Sequence, residues 1–403
     1  MSRDLPTGLI EEAEAAIDER RLVETLQALI LCRSENPFEE EPAKEQGEEA
    51  VARYMSGRLS DLNIECELRE LGPRRVNLVA GMNLQVEGPS LMLAGHMDTV
   101  RTAGYPEAYS AEERDGFVYG RGACDMKGAL ACYLEVAEVL RAGRTPLKGS
   151  LYLVGVADEE YKMLGAREIG ENGPGADGVI VGEPTELAVC PASRGRVTTS
   201  IVTRGRAAHS STPENGVNAV SHMGRVLGTL ENYGSDLLER RDPHPLLGRP
   251  RVNPGVIEGG SQANIVPDEC RLEIDRRTLP GESKEDVYDE LESLLADAGK
   301  DVPEFRGELA EPGLLVPANE VEPDDPLVVA LRKSAEEVLG EDRELRGFLG
   351  GSDAGYYGPP AVICGPGSIE QAHTTDEFVA VQDLVLATRL YLRSVLRILG
   401  QGG

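Results

Sequence analysis

The chain has 403 residues, 40% of them hydrophobic, enough for about two to three domains of roughly 100–200 residues each. Its net charge of −29 repels polyanions, which argues against nucleic acid and anionic membranes as partners. Only 7 of the 41 basic residues are Lys and 4% of residues are aromatic, a composition suited to a solvated surface in a salt-rich cytoplasm, where the Debye length shrinks from ~8 Å to about 3 Å at 1 M; a basic binding partner is the alternative reading.

The N-terminus, Met1 to Pro6, runs into acidic helical sequence without an apolar signal core, and no apolar run reaches the ~18 residues of a membrane helix. The seven cysteines are scattered, odd in number and lack a Cys-x-x-Cys, which fits reduced thiols and a cytoplasmic location. Residues 8–60 read as helical, broken by Asn36-Pro37 and a charged loop. Strands follow at Ile64–Leu71, Asn77–Ala80 and Leu91–Ala94, the last running into Gly95-His96. A helix with alanine-rich periodicity begins at Asp125, reaches Leu140 and stops at Gly143. Strands Leu151–Val156 and Val179–Val181 continue the alternation, the pattern of a largely parallel sheet covered by helices. From Gly195 the pattern changes: strand Val197–Val202, helix Asn215–Glu231, strands Asn253–Glu258 and Glu269–Arg276, and an acidic helix Ser283–Ala296 describe a small α+β unit, with one further strand as an open alternative. Val302–Asp325, with four prolines, reads as an irregular surface return. The strand Ala361–Cys364 and a helix from Asp383 complete the first unit. The expected fold is therefore α/β, with catalytic-domain segments 1–194 and 309–403 flanking an inserted α+β domain at 195–308.

His96, Asp98, Asp125, Glu159, Glu160, Glu183 and His373 are imidazole and carboxylate groups, most of them lying where strand-like runs end. In an open α/β sheet, ligands bind beyond the carboxyl ends of the strands, and His, Asp and Glu converging there are donors for zinc or a related divalent ion. Each residue alone has a plainer reading. His96 in a His-x-Asp is as often a satisfied strand-end histidine. Asp125 suits an N-cap, Glu159-Glu160 a solvated turn, and Glu183 an ordinary turn.

The joint pattern is specific. Gly95-His96-Met97-Asp98-Thr99-Val100, Gly120-Arg121-Gly122-Ala123-Cys124-Asp125-Met126-Lys127-Gly128, Asp158-Glu159-Glu160, Gly182-Glu183-Pro184-Thr185 and Gln371-Ala372-His373-Thr374-Thr375-Asp376-Glu377 occur in order, with Gly205–Ser211 and Gln262–Pro267 between them. From about residue 20 to its end the chain resembles the acetylornithine deacetylase and succinyl-diaminopimelate desuccinylase family of dinuclear zinc amidohydrolases. The resemblance implies two divalent ions, Zn2+ with Co2+ as the alternative. Asp125 would bridge them, with His96 and Glu183 on one ion and Glu160 and His373 on the other. Asp98 would orient His96, and Glu159 would act as general base. A cis peptide at Asp125–Met126 is implied as well. His209 would donate to the oxyanion across a homodimer interface formed by the inserted dimerisation (lid) domain; a surface histidine at a helix start is the plainer reading. Asn264 is a candidate substrate contact or a turn residue. Arg276, in phase with Leu272 and Ile274, is a candidate clamp for a substrate carboxylate or one half of a structural ion pair.

Hydrolysis of an N-acyl amino acid is the leading function, and a metallo-exopeptidase or dipeptidase the alternative, because both cleave the same linkage. A catalytically silent metal-binding relative would have no need of Glu159 beside a full ligand set.

Overall fold

The computed structural model describes residues 7–38, 47–83, 86–143, 147–239, 242–358 and 360–400. The charged loop expected after Asn36-Pro37 lies outside them over 39–46, as does the N-terminus to Pro6. Two compact units emerge, one from residues 1–192, 320–348 and 352–403, the other from 193–319 and 349–351.

The first unit is built on a six-stranded sheet, ordered Glu65–Gly72, Arg75–Met82, Ser150–Val156, Ser90–His96, Gly178–Val181, Ala361–Ile363. The last four run parallel and the first two are antiparallel additions at one edge. Strands covered on both faces need apolar side chains throughout, which is why Leu91–Ala94 and Val179–Val181 are continuous apolar runs, all buried. Helix Lys127–Ala142 is buried along almost its whole length, so its alanines serve close packing. Its Tyr133 ring meets Tyr391 of helix Val381–Leu399 at 5.1 Å between centroids. Because these last four strands are parallel, their carboxyl ends share one side. His96 ends one strand there, and Asp158–Glu160 and Glu183 follow directly after two others.

The second unit is an antiparallel sheet ordered Arg251–Gly259, Glu269–Thr278, Gly195–Arg204, Gly307–Leu309, with Leu314–Val316 also paired to Gly195–Arg204. Helices Ala219–Glu239 and Lys284–Gly299 contribute Met223, Val226, Leu230, Val287 and Leu291 to a core shared with Val197, Ile201, Leu272 and Ile274 of the sheet. Glu269–Thr278 alternates exposed and buried along its length, the signature of one covered face. A capping box of Ser283 and Asp286 starts the second helix.

Three expectations change. Val302–Asp325 is not simply irregular: Gly307–Leu309 and Leu314–Val316 add to the inserted sheet, too short to show a period in sequence. Those pairings move the return to the first unit from 309 to 320. The helix expected over Asn215–Glu231 starts at Ala219 and continues to Glu239, preceded by a short 3-10 turn at Pro213–Asn215.

Candidate metal centre

Asp125 stands at the middle of the cluster. The helix that follows it begins only at Lys127 and takes no side-chain cap, so Asp125 is not an N-cap. The Asp125–Met126 peptide is cis. Gly95 leaves the space that the Met126 side chain fills, since a Cβ at Gly95 would lie 2.4 Å from the Met126 methyl. One Asp125 oxygen, Oδ1, lies 3.0 Å from His96 Nε2, and the other, Oδ2, lies 3.4 Å from His373 Nε2. Glu183 Oε2 is 3.9 Å from His96 Nε2, and Glu160 Oε2 is 3.2 Å from His373 Nε2. Asp125 thus has one imidazole and one glutamate on each side. One donor atom each from His96, Asp125 and Glu160 falls within 4.8 Å of the others.

Asp98 contacts more than His96. His96 Nδ1 lies 3.0 Å from the Asp98 backbone carbonyl and 3.6 Å from its carboxylate Oδ1. The carboxylate also accepts the backbone N–H groups of Glu159 and Glu160, both at 3.2 Å, and the side-chain amide of Asn36 at 2.8 Å. Asp98 therefore ties the His96 strand end to the turn carrying both glutamates.

Burial sets the electrostatics. It pushes the Glu159 carboxyl well above its ordinary range; His96 opposes the shift, while the charges of Glu183, Asp353 and Glu160 add to it. Burial likewise raises Glu183 and Glu160. Burial would raise Asp125 too, but hydrogen bonds from His373 and His96 overturn it and hold that carboxyl well below the usual range. His373 is pushed up to about 10 by its bonds to Asp125 and Glu160. Carboxylates crowded out of water need positive charge beside them. Among the described residues, the buried atoms Glu160 Oε1 and Glu183 Oε1 have no hydrogen-bond partner. Two imidazoles, three carboxylates and orphaned oxygens on the outer two glutamates suit a divalent cation.

Comparison with known proteins agrees. The description "peptidase family M20/M25/M40" matches residues 92–397. The chain belongs to that family. Curated relatives include an acetylornithine deacetylase of Myxococcus xanthus, 35% identical over 363 residues that span 86% of this chain and 91% of the relative. Another, from Edwardsiella ictaluri, is 33% identical over 88% of this chain and 92% of its own. Among solved structures, a Staphylococcus aureus tripeptidase is 26% identical with a TM-score of 0.75, covering 94% of this chain and 98% of that one. A Bacillus cereus aminopeptidase reaches a TM-score of 0.76 at 22% identity, covering 95% and 99%. As a member of the M20 family the chain is a metal-dependent hydrolase of amide bonds.

One M20-site residue escaped the sequence reading. The Glu377 carboxylate accepts the backbone N–H groups of Gly122, Cys124 and Asp125, each at 3.0 Å, and a guanidinium N–H of Arg121 at 2.7 Å. It is the anchor of the turn that presents Asp125. Its four partners lie some 250 residues away in sequence, and only its place in the Gln371–Glu377 motif hinted at a role.

The remaining sequence candidates lie in the second unit. His209 is exposed, and its Nδ1 accepts the Ser211 N–H at 3.1 Å, so the ring proton falls on Nε2. Asn264 is beside it, its backbone carbonyl accepting the Ser210 N–H at 3.0 Å. Arg276 is a correction. It is wholly buried and donates to Tyr233 Oη at 2.9 Å, Glu282 Oε1 at 2.9 Å and the Arg277 carbonyl at 2.5 Å. The phase shared with Leu272 and Ile274 was real, but that face packs against the helices, so its guanidinium is committed to an internal ion pair.

Proposed function

We propose that the protein removes the acyl group from an N-acyl amino acid, using two divalent ions held by His96, Asp125 and Glu183 on one side and Asp125, Glu160 and His373 on the other. The observation that carries this reading is Asp125, whose two oxygens face two different imidazoles, each accompanied by its own glutamate. Zn2+ is the ion we favour, with Co2+ able to take the same nitrogen and oxygen donors. Bound there, such a pair makes a nucleophile available near neutral pH and polarises the scissile carbonyl.

The rest falls to the chain's own residues. Glu159 collects the proton released by the attacking water and returns it to the leaving amine, a contribution of typically ~10²–10⁴-fold. Asp98 holds Glu159 and Glu160 by their backbone N–H groups and so fixes which faces the reacting atoms. His209, with a proton on its exposed Nε2, is suited to steady the developing oxyanion.

Homodimerisation is part of the proposal. Among the described residues, strand Arg251–Gly259 pairs on one side only, and it is exposed along most of its length, including Val256 at 48% and Ile257 at 52%. Such an edge favours coverage by a second chain. If His209 works across the dimer, inactive Glu159→Gln and His209→Ala homodimers regain activity on subunit exchange; no recovery after demonstrated exchange rejects action in trans.

The curated relatives named as acetylornithine deacetylases support an N-acyl amino acid as substrate. The tripeptidase neighbour supports a second reading, cleavage of a short peptide. Rates on N-acetyl amino acids and on dipeptides, measured with Zn2+ or Co2+ added, separate the two. Faster turnover of the dipeptides rejects the deacylase reading.

A further inference from the structure

Behind the two adjacent glutamates lies a second, fully internal polar cluster. Arg75 opens strand Arg75–Met82, which runs antiparallel to Ser150–Val156, so Arg75 sits at the end where Asp158, Glu159 and Glu160 leave the sheet. The residue is 9% exposed. It donates to Asp158 Oδ1, to Asn36 Oδ1 at 3.1 Å and to the Phe38 carbonyl at 3.3 Å, and stands 3.5 Å from Glu48 Oε1. Asn36 turns this into a bridge, its amide donating to Asp158 Oδ1 at 3.0 Å and to Asp98 Oδ2 at 2.8 Å. Glu48 Oε1 in turn accepts the Asp158 N–H at 3.2 Å. Two buried carboxylates, Glu48 and Asp158, therefore share one guanidinium, with Asp98 joined to Asp158 through Asn36, and among the described residues no other basic side chain pairs with Glu48 or Asp158.

Backbone geometry shows what the cluster holds. Asp158 has φ 69°, a left-handed conformation uncommon for a residue with a side chain. That twist lets the next two N–H groups both reach Asp98, and it is fixed at the side chain by Arg75 and Asn36 and at the N–H by Glu48.

We propose that Arg75 is a positioning residue for amide hydrolysis, acting through Asp158 and Asn36 to hold Glu159 and Glu160 in place. This rests on the metal-site reading above. Glu160 is the outer glutamate of one half-site, so a loosened turn weakens one ion and leaves the other, held by His96 and Glu183, little changed. Glu159 leaves its working position at the same time, so turnover falls more than substrate binding.

The test is a zinc titration of the full-length chain, wild type against Arg75→Met, followed by calorimetry without substrate. Asn36→Ala serves beside it, since it removes the bridge, with the Asn36 contacts to Arg75 and Phe38, but leaves the Arg75 ion pairs to Asp158 and Glu48 in place should Arg75→Met fail to fold. The expected result is one zinc bound at wild-type affinity and the other about tenfold weaker or more. With an N-acyl amino acid, kcat falls by about tenfold or more while KM stays within about threefold, and Arg75→Lys, which keeps the charge, recovers part of the loss. Wild-type affinity for both ions in the folded variants, or a loss confined to melting temperature, overturns the proposal. A wild-type chain that binds a single zinc strikes the dinuclear reading instead, and Arg75 is then judged on whether Arg75→Met weakens that one ion.

Discussion

Replacing Glu377 with glutamine should damage the metal centre from outside it. The carboxylate is fully buried and holds three backbone N–H groups and one guanidinium, with Oε1 taking Cys124 and Asp125 and Oε2 taking Arg121 and Gly122. Glutamine keeps the volume but supplies one accepting oxygen, so at least two donors are left facing an NH2 group. The Arg121 charge also loses its partner. Breaking a buried ion pair by neutralising one member costs about 3–5 kcal/mol, and outer residues that orient metal ligands are worth about 10–100-fold in affinity. Glu377→Gln should therefore lose stability of that order in denaturant unfolding and bind zinc more weakly by a factor in that range. Both readouts are required, because Asp125 receives its position through its own N–H to Glu377. A variant that unfolds within about 0.5 kcal/mol of wild type, and holds zinc as tightly, would refute the anchoring argument.

Arg276→Ala should cost about 3–5 kcal/mol of stability, since it strands the buried Glu282 carboxylate, yet leave KM of the folded enzyme within about twofold; a large rise in KM would restore the clamp reading. Glu159→Gln should keep fold and metal while kcat drops by about 10²-fold or more, and near-normal turnover would move the proton shuttle elsewhere. Metal affinity should climb as pH rises, because the ion displaces a proton from His373. In the chelated chain the sign reverses: with its value raised to about 10, His373 stabilises the fold fully below ~6.5 and loses that contribution as pH passes through about 10. A His373 ring titrating near its ordinary value by NMR after chelation would contradict this.

The parallel sheet was legible because buried strands write themselves as apolar runs, and the residues after those runs had to share one side of the sheet. That logic reaches His96, Glu159, Glu160 and Glu183, each a short step beyond a strand. It cannot reach Glu377, Asn36 or Arg75, single polar residues whose partners are distant in sequence and whose importance lies in how many hydrogen bonds they close at once. Arg276 shows a different limit. Periodicity reported its face correctly, but a charged residue on an apolar face has two explanations, a functional opening or a buried pair, and only Tyr233 and Glu282 beside it decide between them. The strands Gly307–Leu309 and Leu314–Val316 were hidden for a simpler reason, since three residues are too few for alternation to register.

The most direct test of the dinuclear site is metal analysis of the purified chain after saturation with Zn2+ and removal of loosely held ion. Two zinc ions per chain, falling on Asp125→Ala as both half-sites lose their shared carboxylate, is the outcome the geometry predicts. A stoichiometry of one or fewer in the wild-type chain would contradict it.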